Sequence, residues 1–203
     1  MNADSEPDPE RNIYQAPEAD LEAETEAGLK YYVVSQTKFQ ILFLTTLGLY
    51  GLYWFYRHWR NYKLHSGRDL WPVPRAIFSV FFVHALFDRF YRDAIENESV
   101  KRWHYKIEAS LYIVFIIVSN LSDRLVSLGF SVITSAVIGI GSIIVVAWIL
   151  GRAQAVANLA CGDPRGKANS RIGIANIAWI LLGLVLWLLT IVGIGISLVP
   201  QGS

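Results

Sequence analysis

The chain has 203 residues, of which 53% are hydrophobic and 17% charged. A soluble domain carries about 25% charged residues and about 45–50% apolar ones, so this balance argues against an ordinary soluble class and for a bilayer. The net charge of +1 conceals an asymmetry, because residues 1–38 hold nine acids against three bases, and the lone Cys161 excludes an intrachain disulfide.

Residues 1–37 read as an acidic disordered tail, too poor in aliphatics to offset the entropy of ordering. Its start lacks the positive n-region and apolar run of a signal peptide. One island, Asn12-Ile13-Tyr14-Gln15-Ala16-Pro17, has the form of a docking peptide, although low hydrophobicity alone accounts for a featureless tail. Residues 38–199 are expected to form an all-α integral membrane helical bundle.

Within that bundle, 39–56 is eighteen residues without a charge, close to one bilayer core at about 1.5 Å per residue. Aromatics and then cations follow at its end. Tyr53, Trp54, Tyr56, Arg57, Trp59 and Arg60 read as an interfacial belt, with rings at headgroup level and cations on anionic lipid. The prolines Pro72 and Pro74 mark a turn. The apolar part of 76–88 is twelve residues long, too short to cross, and predicts a re-entrant or interfacial helix. Three further spans are expected over 105–122, 127–151 and 173–199, the last two free of charge.

Cation placement gives the orientation. Ten bases fall in 57–106 and four in 152–171, against Arg124 alone at the intervening turn, so the two basic regions are expected in the cytoplasm. Four spans then leave both termini outside. A fifth span at 76–88 would move the N-terminus to the cytoplasm but strand five bases on the outer side.

The run Thr45-Thr46-Leu47-Gly48-Leu49-Tyr50-Gly51-Leu52-Tyr53-Trp54-Phe55-Tyr56-Arg57-His58-Trp59 resembles the signature of a family of uncharacterised bacterial inner-membrane proteins of unknown function. Pro74-Arg75-Ala76-Ile77-Phe78, the Gln154 to Asn158 stretch and the tail island, with Ile13 where that group has a proline, are similar to it too. The resemblance implies a multi-pass protein of the bacterial inner membrane and no particular activity.

Sites are few. His84 and Asp88 stand four apart, on one helical face, and read as a weak polar pair. His58, His65 and His104 form no ligand spacing, and Cys161 has no neighbouring histidine to make it a nucleophile. No catalytic, cofactor-binding or metal residue is assigned. Ser131, Ser135 and Gly139 recur every four residues and read as a helix-packing seam, repeated by Ala147 and Gly151. Asn176, Thr190 and Ser197 are candidates for interhelical hydrogen bonds. The expected partners are the lipid bilayer, anionic lipid headgroups, and a second copy or another membrane protein, with no nucleic acid. The function expected is a non-enzymatic scaffold, sensor or accessory component. A small-solute or ion transporter is the alternative, since the spans lack midplane charge but carry glycine pairs that could break them. An enzyme on lipid substrates would need an interfacial carboxylate or histidine cluster, which only His84, Asp88 and Asp93 approach.

Overall fold

The computed structural model describes residues 28–97, 100 and 102–199. Regular structure among them is entirely helical, with no strand. A non-helical segment enters first, and its Tyr31, Tyr32, Val33 and Val34 are buried. Ser35 then caps α1, Gln36–Thr45, its hydroxyl accepting from the Lys38 amide at 3.3 Å. The tail expected to reach residue 37 therefore gives way to packed structure by Tyr31; its first 27 residues lie outside the described ones.

After α1 the chain reverses. Leu47 and Gly48 adopt positive φ, 51° and 88°, a conformation natural to glycine that costs a leucine about 1–2 kcal/mol. The turn is clamped by Gly48 N–H to Phe43 O at 2.9 Å and by the buried Thr46 hydroxyl, which donates to Leu42 O and accepts from Tyr50 N–H. Helix α2, Tyr50–Ser66, then runs back beside the segment that preceded it. Tyr31 stacks on Tyr62, Tyr32 meets His58, Phe39 meets Trp54, and Phe43 lies on Gly51, an antiparallel ladder. The single span expected over 39–56 is thus a helical hairpin whose two ends lie together. Unbroken hydropathy conceals the turn, because Leu47, Gly48 and Leu49 are as apolar as their flanks.

Helix α3, Pro72–Ile77, starts on a proline whose fixed φ suits the first turn, and breaks at Phe78. Helix α4, Ser79–Glu96, follows. The isolated 76–88 element is therefore replaced by an eighteen-residue amphipathic helix. Its Val83, Leu86, Phe87, Phe90 and Ala94 face the core at helical spacing.

Helices α5, Tyr105–Leu121, and α7, Val132–Ala160, pack antiparallel; Glu108 pairs with Arg152 at one end, and Ser135 donates to Ser122 O at the other. Between them lie a short α6, Arg124–Ser127, and a turn at Gly129. The span expected over 127–151 is displaced: Ser131 caps α7, which runs on through Arg152 to Ala160. A 3-10 turn, Lys167–Asn169, leads to α8, Ile174–Leu198.

Two helices among the described residues, α7 and α8, are long and apolar enough to cross a membrane. They measure about 43 Å and 37 Å, against about 25 Å for the seventeen-residue α5. A four-span bundle is therefore reduced to two helices that meet that measure. The bundle has two distinct ends. One, here called the cap, gathers 28–38, the C-terminal ends of α2, α4 and α7, and the starts of α5 and α8. Lys38 donates to Arg171 O at 2.6 Å and Ser35 N–H to Asn169 O at 3.2 Å. These bonds bring the start of the described chain to the same end as the basic 152–171 loop. That is the opposite of the four-span expectation, which set the N-terminus across the membrane from that loop.

Candidate functional site

The cap is built on two carboxamides. Gln154 and Asn158, four apart on α7, are both buried. Gln154 Oε1 accepts from Trp54 Nε1 at 2.6 Å and from His58 Nε2 at 3.2 Å. Its amide nitrogen donates to Tyr32 O and to Asn158 Oδ1, while Asn158 donates to Val34 O at 2.9 Å. The main chain of 32–34 is thereby held by side-chain amides where no strand is available to pair with it. Two more amides repeat the device on α1. Gln36 and Gln40 donate to the carbonyls of Gly151 and Ala147 at 2.9 and 3.0 Å. A Cβ on Gly151 would stand 2.4 Å from Gln40 Nε2, so the missing side chain permits that approach.

His58 lies inside this network. Contact with an acceptor fixes the proton on Nε2, which leaves Nδ1 buried without a partner. Burial pushes its pKa down to about 3, assisted by Arg57 and opposed by the bond to Gln154. It is thus a neutral structural donor. The thiol of Cys161 is pushed up to about 11, chiefly by burial, so it is no nucleophile. A pocket of about 460 Å³ brings Cys161, His65, Asp93 and Glu96 to the cap. Asp93 is already engaged by Lys30 at 2.7 Å and by the Tyr31 hydroxyl. No group of three His, Cys, Asp or Glu side chains is placed to hold a metal among the described residues.

Around the network the arginines lie on rings. Arg57 covers Tyr32 and Tyr53, and donates to the Tyr53 hydroxyl at 2.8 Å. Arg75 and Arg89 both lie over Trp59, at 4.6 and 5.1 Å from its centre. Arg75 also covers Phe82, and Arg89 covers Tyr62.

The residues expected to form an interfacial belt divide. Trp54 and Trp59 are fully buried and belong to the core rather than to a headgroup layer, Tyr53, Tyr56 and Arg57 are half-buried, and Arg60 is exposed. Helix α2 returns against the core, and that is what buries the tryptophans. The expected His84–Asp88 pair does not form. His84 bonds Ser110 at 3.2 Å on α5, whereas Asp88 accepts from Tyr105 and pairs with Arg92. Of the seam residues, Ser135 and Gly139 meet Ser122 after α5, and a Cβ on Gly139 would stand 2.6 Å from Ser122 Oγ. Ser131 instead caps α7, its hydroxyl accepting from Thr134 N–H. Thr190 and Ser197 spend their hydroxyls on their own helix. Of the four amides, Gln154 and Asn158 enter the sequence reading only as part of the resemblance, without a role, and Gln36 and Gln40 do not enter it. Their signal is two pairs of carboxamides at i, i+4 spacing, one on each of two mainly apolar helices.

Compared with protein-family models, curated proteins and solved structures, the chain matches none. The resemblance carried by 45–59, 74–78, 154–158 and the tail island rests on those residues alone.

Proposed function

We propose that the chain is a non-enzymatic integral membrane protein, a scaffold, sensor or accessory component that presents its cap to the cytoplasm. The observation that carries this reading is α8. Of its 25 residues only Gly183 is buried, and Ile174, Leu181, Leu184, Leu188 and Ile191 are exposed. Such a surface is costly in water and at home in hydrocarbon. On this reading α5, α7 and α8 pass between cap and far end, and the α1–α2 hairpin enters from the cap and returns. Backbone irregularity at that depth is tolerated because the tip is packed against protein, with Gly183 on Thr45 and Trp187 donating to Leu44 O. The positive-inside rule then assigns the cap to the cytoplasm.

The test is cysteine labelling in intact cells after Cys161→Ala. Lys30→Cys and Lys167→Cys should be shielded from a membrane-impermeant thiol reagent, and Leu128→Cys should react. Labelling of residues 30 and 167 on opposite sides would overturn the arrangement.

A second reading, solute transport, is favoured by one feature. A crevice of about 520 Å³ at the far end is lined by Ser119, Ser122, Ser135, Thr190 and Ser197 and reaches Leu47 at the hairpin tip. Polar lining that ends on a broken helical element suits a transport path. Liposomes holding the purified protein and assayed over ions and small solutes decide between the two readings. Flux would favour transport, and tight vesicles would favour the first reading.

A further inference from the structure

The stacked arginines leave an imbalance of charge. Arg75 makes no side-chain hydrogen bond and no ion pair among the described residues, and Arg89 spends one N–H on Ala85 O at 2.6 Å. Arg89 Nε and Trp59 Nε1 are buried and unpartnered. Asp88, the nearest acid in sequence, is taken by Arg92 and Tyr105. Two like charges therefore share one tryptophan, with donors in excess and the Ala85 carbonyl as their acceptor among the described residues. Arg75 is held below its usual pKa by burial and by Arg89. The two guanidinium groups are only partly buried, so their remaining N–H groups can take an acceptor from outside the chain.

Beside them the surface is apolar. Trp71, Ile77, Phe78 and Phe81 are exposed, Phe81 by 76%, and they form a ledge at the α3–α4 corner. Ile77, two residues from Arg75, also lines a groove of about 730 Å³. Leu52, Val80, Ile116, Ile117 and Leu121 line it too, with Ser79, Ser119 and Asn120 among them, so its walls are mainly apolar and suit an acyl chain. The guanidinium forks suit a phosphate and the groove suits a hydrocarbon tail.

We infer that Arg75 and Arg89, stacked on Trp59, bind the phosphate of one anionic glycerophospholipid whose acyl chain lies in the groove between the hairpin, α4 and α5. This rests on the chain lying in a bilayer. The lipid is favoured over free phosphate because Ile77, two residues from Arg75, connects the arginines to the groove, and a soluble anion would not use it.

The experiment is native mass spectrometry of the full chain in mild detergent, with phosphatidylglycerol and phosphatidylcholine of matched chains added together. One phosphatidylglycerol per chain should be retained, favoured at least about tenfold, because phosphatidylcholine offers the same phosphate but brings its choline cation beside the two arginines. Joint Arg75→Gln and Arg89→Gln should bring the preference to within about twofold, joint replacement by Lys should keep part of it, and Arg68→Gln should leave it unchanged. Leu52→Trp, which fills the groove, should lower retention of both lipids. Should the double variant aggregate, Arg75→Gln alone carries the test, since that side chain makes no hydrogen bond. Equal retention of the two lipids by the native chain overturns the proposal. Displacement of phosphatidylglycerol by millimolar inorganic phosphate reassigns the arginines to a free anion and overturns it as well. Alkaline extraction of the same membranes separates the two claims. Release of the protein would sink the bilayer reading itself, while retention without lipid preference would sink only this inference.

Discussion

The cap and the far end are stabilised by different physics. At the cap, Tyr31, Trp54, His58, Trp59 and Phe90 are fully buried, and polar atoms of Gln154 and Asn158 pair with other elements of the chain. It resembles the interior of a soluble protein, in which misplacing one polar group is expensive. At the far end, α8 meets its neighbours through Gly183 and Trp187, while Leu128, Ile133, Val137 and Leu188 remain exposed. On the bilayer reading proposed above, hydrocarbon completes that half, so helix association there depends on close backbone approach and not on hydrophobic burial. Single substitutions should therefore act strongly at the cap, where a network fails together, and at the far end only where backbones touch.

The largest effect is expected from Gln154→Leu. It removes the acceptor of Trp54 Nε1 and His58 Nε2 and the donor to Tyr32 O at one stroke. Each buried orphan costs about 1–3 kcal/mol, so the loss should be at least about 3 kcal/mol in thermal unfolding of the detergent-solubilised chain. Leu189→Ala, on the exposed face of α8, should stay within about 0.5 kcal/mol. Equal effects would break the contrast between the ends.

Glycines sharpen it. A Cβ on Gly183 would stand 2.3 Å from the Thr45 carbonyl oxygen, which is main chain and cannot yield without moving the hairpin tip. A Cβ on Gly139 would meet the Ser122 hydroxyl at 2.6 Å, and that group can rotate away. Gly183→Ala should therefore destabilise by about 1–3 kcal/mol, and Gly139→Ala by clearly less. The sizing-column elution should be unchanged in both, since each contact lies within one chain. Reversal of that order would mean that the hairpin tip gives way more easily than the seam.

Periodicity and hydropathy made part of this legible. The helical class and the long apolar helices α7 and α8 follow from charge-free runs, and α5 from the run that ends at Ser122. What hydropathy could not supply was direction. A run such as 39–56 scores alike whether it crosses or folds back, and the reversal depends on Leu47 and Gly48 at positive φ, clamped by Thr46. Aromatics followed by cations look alike in a belt and in a core, and only the return of α2 against Tyr31, Tyr32 and Phe39 buries Trp54. The pairing of His84 with Asp88 was inferred from one helix alone. Tertiary neighbours Ser110 and Tyr105 took the two side chains apart.

The last predicted effect concerns pH and should arise at the cap alone. Among the described residues the charged groups of the far end are Asp123 and Arg124, both exposed, whereas His58 is enclosed by Tyr31 and Tyr32 from the entering segment, Trp54 on its own helix, Phe90 on α4 and Gln154 on α7. Arg57 is the charged group that bears on it, and it opposes protonation. Its folded pKa of about 3 lies below the ordinary histidine value of 6.5, so the unfolded chain binds a proton that the folded chain refuses. Above pH 6.5 both states are neutral and His58 contributes no pH dependence. As pH falls from there towards 3, the folded state loses stability by at most about 1.4 kcal/mol per pH unit. The measurement is thermal unfolding of the native chain and of His58→Gln between pH 7 and 4.5. Asp93 and Glu108 are common to both proteins, so the difference between the two slopes isolates the histidine. The variant should be less stable at pH 7, where it loses a fitted donor, yet flatter across the range. Parallel slopes would mean that the imidazole becomes charged inside the folded cap, and the cap would then admit water where the packing of Trp54 and Phe90 closes it.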